Sequence, residues 1–289
     1  MQKKKRNHWV PRSYLRAFAA DENRKKVWLF SKNAGDPECK GIDKVAVRFY
    51  LYAPNDRSGK RDYRFEDKLA SLETFFGHQL WTQLCNDYVD LTHEPLRKMV
   101  ALLAAVMWLR NPKFLHFTKE LHRQIVTFNS QFESPPEEVE IAGRVLKMDV
   151  SKWPEYRDAD DDAIKRMWLE HVGSAAWLAE IMLKMRWSVL FSESPAFITT
   201  DNPVITMNPG LKFKGLQDPE TILLFPLSPT RVLFMDNRLP EPDGRYYPAV
   251  DPPSINCMLW RESIEFMFSS RHPDQVCCEM DASARNMGF

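Results

Sequence analysis

Phe197-Ile198-Thr199-Thr200-Asp201-Asn202-Pro203-Val204 is the stretch on which the reading of the fold turns. An apolar run, Trp187 to Phe191, leads toward it, and the chain resumes as Val204-Ile205-Thr206 after a polar Thr-Thr-Asp-Asn-Pro step. Apolar runs of this length bounded by turn residues predict strands, so the stretch is a turn between strands. Asp and Asn side chains can bond their own backbone, and Asn-Pro commonly starts a turn. Four small polar side chains at a strand end, fixed by a proline, also suit a binding or catalytic site. Both readings stay open at this level.

Working outward, Ala196–Thr200, Val204–Met207, Thr221–Leu224 and Arg231–Met235 read as strands, with Pro226 to Thr230 as a turn. Ile255 to Arg261 fits a helix, Ser263–Ser269 a strand, and the last dozen residues a polar tail. Upstream the period changes to helical. Phe65, Leu69, Leu72, Phe76 and Leu80 form an apolar stripe over residues 63–89, Leu96 to Phe117 carries the most hydrophobic helix, and Ala163 to Leu183 a third long one. Pro11 suits the first turn of a helix over Arg12–Ala19. Val27–Phe30 and Val45–Tyr52 read as early strands. Strands early, helices in the middle and strands late predict an α+β fold, a helical layer packed against a mostly antiparallel sheet. Residues 1–289 read as a single domain with a polar connector at about 129–162, whose acidic run Asp158 to Asp162 would cap the next helix.

Composition narrows the function classes. Hydrophobic residues make up 44% and charged residues 27%, which supports a packed core. With 40 basic and 39 acidic residues there is no overall field to attract nucleic acid or anionic lipid, so any such binding needs a local basic patch. Lys3-Lys4-Lys5-Arg6 is one, though no apolar signal core follows it. The longest apolar run, Met99 to Leu109, is too short to cross a bilayer. Five cysteines without a CxxC spacing fit neither a zinc knuckle nor a disulfide framework, and reduced thiols in a cytoplasmic protein are expected. No GxxxxGK[ST], GxGxxG or GxSxG occurs. His116 and His122 are six apart on different helical faces, which excludes a zinc-protease helix.

Several polar residues stand out against this background. Glu66 and Glu73 are seven apart and project from one side of their helix, as salt-bridged flanks or as a platform for a divalent metal. Arg110 ends a buried helix, where a cation is costly unless paired. His8 precedes the first helix, where it is either a surface residue or a proton-transfer group.

The blocks His8-Trp9-Val10-Pro11-Arg12 through Phe18, Arg48-Phe49-Tyr50, Glu66 with Leu72-Glu73, Leu109-Arg110-Asn111-Pro112, Phe197–Val204 and Phe225-Pro226-Leu227-Ser228-Pro229 occur in that order. The set resembles the bacterial and fungal family catalogued as domain of unknown function 4238. The resemblance spans nearly the whole chain and implies one family-length domain, but no activity. The family's turn usually reads Thr-Ser-Asp-Asn-Pro, and Thr200 here keeps the hydroxyl.

The polar positions in those blocks are His8, Arg12, Tyr14, Tyr50, Glu66, Glu73, Arg110, Asp201 and Asn202. If they share one cleft, Glu66, Glu73 and Asp201 would be oxygen ligands for Mg²⁺ or Mn²⁺, or acid/base groups together with His8. Arg12, Tyr14, Tyr50, Arg110 and Asn202 would hold the substrate. That kit predicts a metal-assisted hydrolase of phosphodiesters, nuclease-like, such as a toxin or defence effector. The alternatives are a non-catalytic small-ligand-binding domain and an interaction domain whose polar residues form a buried structural network. An open pocket lined by Trp and Arg without convergent carboxylates favours ligand binding.

Overall fold

The computed structural model describes residues 6–33, 35–132, 134, 136–141, 144–147, 149–208, 215–238 and 240–286. Strand β1 (Arg6–His8) leads into the short helix α1 (Arg12–Leu15), which tightens into a 3₁₀ turn over Arg16–Phe18. Tyr14, Leu15 and Phe18 share its inner face and are fully buried, as their spacing predicts. β2 (Lys26–Ser31) and β3 (Glu38–Gly41) follow as a hairpin. The strand expected over Val45–Tyr52 shrinks to β4 (Val47–Phe49). Ala46 and Tyr50 flank it in left-handed backbone, φ 48° and 52°, where a ladder cannot continue.

The stripe over residues 63–89 is two helices, α2 (Arg64–Glu73) and α3 (Gln79–Asn86), separated by a 3₁₀ turn and an extended His78. The stretch expected as one helix over Leu96–Phe117 is also two, α4 (Glu94–Leu109), which ends at Arg110-Asn111-Pro112 as read from the sequence, and α5 (Pro112–Asn129), which starts there. Asn111 breaks the first and caps the second, its side chain accepting from the Lys113 amide at 2.9 Å. The polar connector at 129–162 is more structured than expected. It holds a hairpin, β5 (Glu138–Ile141) and β6 (Arg144–Lys147), a short helix α6 (Trp153–Arg157) and the start of α7 (Asp161–Gly173). Asp160 caps α7 by accepting from the Ala163 amide, as the acidic run predicts. Ser174 separates α7 from α8 (Ala175–Lys184), which packs along the buried α4.

The remaining elements are β7 (Arg186–Phe191), β8 (Thr199–Thr200), β9 (Ile205–Met207), β10 (Ile222–Ser228), β11 (Arg231–Asp236), β12 (Arg245–Pro248), α9 (Pro252–Glu262), β13 (Phe266–Ser269) and α10 (Pro273–Asn286). The polar tail expected for the last dozen residues is therefore mostly helix, anchored by buried Val276 and Met280. Two larger sheets form in place of a single one. One runs β12-β7-β11-β10-β9, antiparallel except for β12 on β7; the other runs β3-β2-β13-β8, antiparallel throughout. β2 and β3 thus join the late strands, whereas β4 pairs with β1 as a separate ribbon. Strand alternation sets where the helices go. Leu223, Phe225 and Leu233 join one core with α4 and α8, while Leu224, Val232 and Phe234 join a second with α9 and α10. Helices consequently cover both faces of the five-stranded sheet. The mixed α+β architecture with mostly antiparallel sheets stands as one family-length domain.

β10 extends through Pro226 to Ser228, with a bulge where a turn was expected. Pro226 has no amide to offer the ladder, and its carbonyl accepts from the Tyr14 hydroxyl at 2.7 Å. That carbonyl can only accept, so the Thr199 hydroxyl donates to the Tyr14 oxygen, also at 2.7 Å. Replacing Tyr14 with Phe strands both partners in the core and should cost about 2 kcal/mol. Urea unfolding measures this; a shifted midpoint with unchanged slope is expected, and a loss below about 0.5 kcal/mol would mean the pair adds nothing.

Candidate functional site

Five of the nine polar residues singled out in the sequence, His8, Glu73, Arg110, Asp201 and Asn202, belong to or bond two dipeptides, His8-Trp9 and Arg110-Asn111. Arg110 follows α4 and is 2% exposed. Its Nη1 donates to Glu73 Oε1 at 2.8 Å, Nη2 to the His8 carbonyl at 2.6 Å and Nε to the Tyr52 hydroxyl at 3.1 Å. Tyr52 in turn donates to the Arg110 carbonyl at 3.0 Å. Burial works against the cation, but Tyr52 and Glu73 overcome it and hold the Arg110 pKa above its usual value. The His8 imidazole bonds the Asp43 carbonyl through Nε2 at 3.3 Å, which requires the proton on that nitrogen. Burial first, then the nearby Arg12, lower its pKa to about 4. His8 is therefore uncharged and weakly basic at neutral pH, poorly matched to proton transfer there.

One residue further on, the partners change. Trp9 Nε1 and Asn111 Nδ2 both donate to the Asp201 carbonyl, at 3.0 and 3.1 Å. The Asp201 carboxylate faces the other way, accepting from the Ile264 and Glu265 amides at 2.9 Å each. Asp201 is fully buried, and desolvation outweighs these bonds and raises its pKa to about 6. Asn202 accepts from Asn111 Nδ2 at 3.0 Å and donates to the Glu262 carbonyl at 2.8 Å. Thr200 Oγ1 closes the turn, accepting from the Asn202 amide and donating to its carbonyl. Tyr14 meets the neighbouring Thr199.

The expected site is thus divided among several contacts. Arg110 bonds the Glu73 carboxylate and the His8 carbonyl; the Asp201 carbonyl and the Asn202 side chain reach Asn111; Tyr50 lies under the Arg61 guanidinium, 4.2 Å from Cζ to ring centre. Arg12 is exposed at the start of α1 and Glu66 is half-buried on α2. Among the described residues, no three His, Cys, Asp or Glu side chains are placed to hold a metal ion, so Glu66, Glu73 and Asp201 form no such set. Sequence reading missed Trp9, Tyr52, Asn111 and Thr199. Trp9, Asn111 and Thr199 lay inside the blocks already quoted; Thr199 was read only as one of four polar turn residues, and Trp9 and Asn111, an aromatic and a cap, carried no chemical signal.

Of the nine, Asn202 lines an open cleft of about 760 Å³ between α5, β9 and the end of α9. Its described walls include Trp108, Phe114, Phe117, Ile205 and Met207, with Lys113, Arg261 and Glu262 at the rim. Glu262 is shared by Lys113 at 3.8 Å and Arg261 at 3.2 Å, which leaves one positive charge in excess. Beyond Phe117 a second groove, about 630 Å³, runs past Leu121 and Trp177.

The two shifted groups act in opposite directions on stability. Between about pH 4 and 6.5 the unfolded chain binds the extra proton of His8, so that group makes stability rise with pH. Between pH 3.8 and about 6 the folded chain binds the extra proton of Asp201, so that group makes stability fall as pH rises. His8→Gln should therefore add a downward trend to the wild-type curve across this window, and Asp201→Asn an upward one. Thermal melts across the acidic range check both signs; parallel curves for all three proteins would contradict the assignment.

No curated protein and no solved structure matches the chain. A family model described as "Protein of unknown function (DUF4238)" matches residues 6–273, nearly its whole length, and the chain belongs to that family.

Proposed function

We propose that the protein is a small-molecule-binding domain whose ligand is an organic anion with a flat apolar body. The observation that carries this is the cleft beside Asn202: aromatic and aliphatic walls with a cationic rim, and a volume in the range of small-molecule sites. Trp108 and Phe114 stand edge-to-face, with ring centres 5.6 Å apart, and give the wall a fixed shape. The Asn111–Asp201–Asn202 bonds hold the α5 start against the polar turn, so the cleft sits on a preformed support. A metal-assisted phosphodiester hydrolase finds less support. Glu73 is engaged by Arg110, and both Asp201 carboxylate oxygens are engaged by main-chain amides.

Anilinonaphthalene sulfonate, a flat aromatic anion, is a direct probe. Its fluorescence should titrate saturably on the folded protein, and Lys113→Glu with Arg261→Glu should weaken binding about tenfold. Trp177→Ala, in the neighbouring groove, should leave it unchanged. Weakening by Trp177→Ala alone would overturn the assignment to this cleft. Calorimetric titration with Mg²⁺ and Mn²⁺ separates the hydrolase reading: saturable binding abolished by Asp201→Asn, in a protein that stays folded, would favour it instead.

A further inference from the structure

Positive charge is concentrated at one end of the chain. Residues 1–64 contain seventeen Lys or Arg against seven Asp or Glu, in a protein whose totals are 40 and 39. A balanced chain with this asymmetry carries a local basic surface that its net charge hides.

On the fold, this segment places cations beside aromatic rings. Arg48 and Phe49 on β4 are both exposed, Phe49 by 67%; strand alternation puts them on opposite faces of the ribbon, and Arg6 on β1, opposite Phe49 in the ladder, shares the Phe49 face. The left-handed residues Ala46 and Tyr50 bracket this strand and end it on either side. For a residue as bulky as Tyr50 that backbone is strained, and such strain persists where the surroundings enforce it. The Arg61 guanidinium covers the Tyr50 ring, and Arg48 lies 5.4 Å over the Trp9 indole. Arg61, half-buried, spends Nη1 on the Ala53 carbonyl at 2.7 Å, and a guanidinium held by its face keeps its remaining in-plane donors for phosphate oxygens. Cations nearby are treated differently: Arg57 pairs with Glu155, and Arg64 with Asp62. Arg6 donates to the Asp43 carbonyl, which takes no charge from it.

Cations alternating with an exposed ring fit one class of partner. Unpaired bases present π faces to stack on a side chain while their phosphates meet arginines. Paired bases in a duplex offer no such face, and an acidic peptide, unlike a single strand, does not carry a π face at every unit. A lipid surface calls for several apolar side chains at one level, whereas Phe49 stands among arginines. We propose that the β1–β4 ribbon and the turn after it bind single-stranded nucleic acid, with Phe49 as the stacking platform and Arg6, Arg48 and Arg61 on the phosphates. This surface is independent of the cleft beside Asn202.

Fluorescence anisotropy with a labelled oligothymidylate of about twelve nucleotides tests this on the full chain. Binding at low salt is expected, with Phe49→Ala about tenfold weaker, Phe49→Trp retained, and Arg48→Ala lowering the logarithmic salt slope by about 0.7. Lys113→Glu at the cleft should change nothing. Phe49 is exposed, so its variants should melt like wild type. Absence of binding at low salt would overturn the proposal. So would equal affinity for a duplex of matched charge together with an unaffected Phe49→Ala, or binding to phosphatidylserine vesicles in preference to the oligonucleotide.

Discussion

A single buried cation sets the terms for the rest of this structure. Arg110 is almost completely removed from water, and a charge in that position is tolerated only if its surroundings replace the lost hydration. The replacement comes from the N-terminal strand, the connector before α2 and the end of α2, through the His8 carbonyl, Tyr52 and Glu73. Each partner belongs to a segment distant in sequence. Leaving such a charge uncompensated typically costs about 3–5 kcal/mol, so the four pieces are bound to form together.

The next residue extends the constraint to the sheets. Asn111 starts α5 with its oxygen and holds the Asp201 turn with its nitrogen, while Trp9 holds the same carbonyl. A helix junction is thereby coupled to the strand-end turn, and the turn to the segment leading into β13 through the Ile264 and Glu265 amides. Lone pairs and donors that would suit catalysis are largely spent on this coupling. A buried network earns specificity of fold when its members are satisfied, and the Arg110–Asp201 assembly has that character. On the readings proposed above, function falls to the surfaces it supports: the aromatic cleft on one side of Asn202 and the basic ribbon beside Trp9.

His8 and Asp201 show how such coupling shapes electrostatics. Both are displaced chiefly by desolvation, which disfavours the charged form of each: the imidazole loses its proton more readily and the carboxyl keeps its own. Their contributions to acid sensitivity oppose one another, so the two together perturb stability less than either would alone.

Local pattern by itself determined much of this protein. Apolar spacing located the inner faces of α1, α2 and α4 and most of the late strands, because a helix repeats every 3.6 residues and a strand every two. It also exposed Arg110 and the Asp201 turn as polar groups in apolar surroundings. Tertiary structure decided what those groups face. The bonds from Trp9 to Asp201 and from Arg110 to His8 join residues far apart in the chain, and no local period encodes which distant carbonyl a donor will find. The left-handed turns at Ala46 and Tyr50 and the docking of α10 were equally hidden. Each depends on packing against elements that sequence order does not place, and packing overrides local preference where the two conflict.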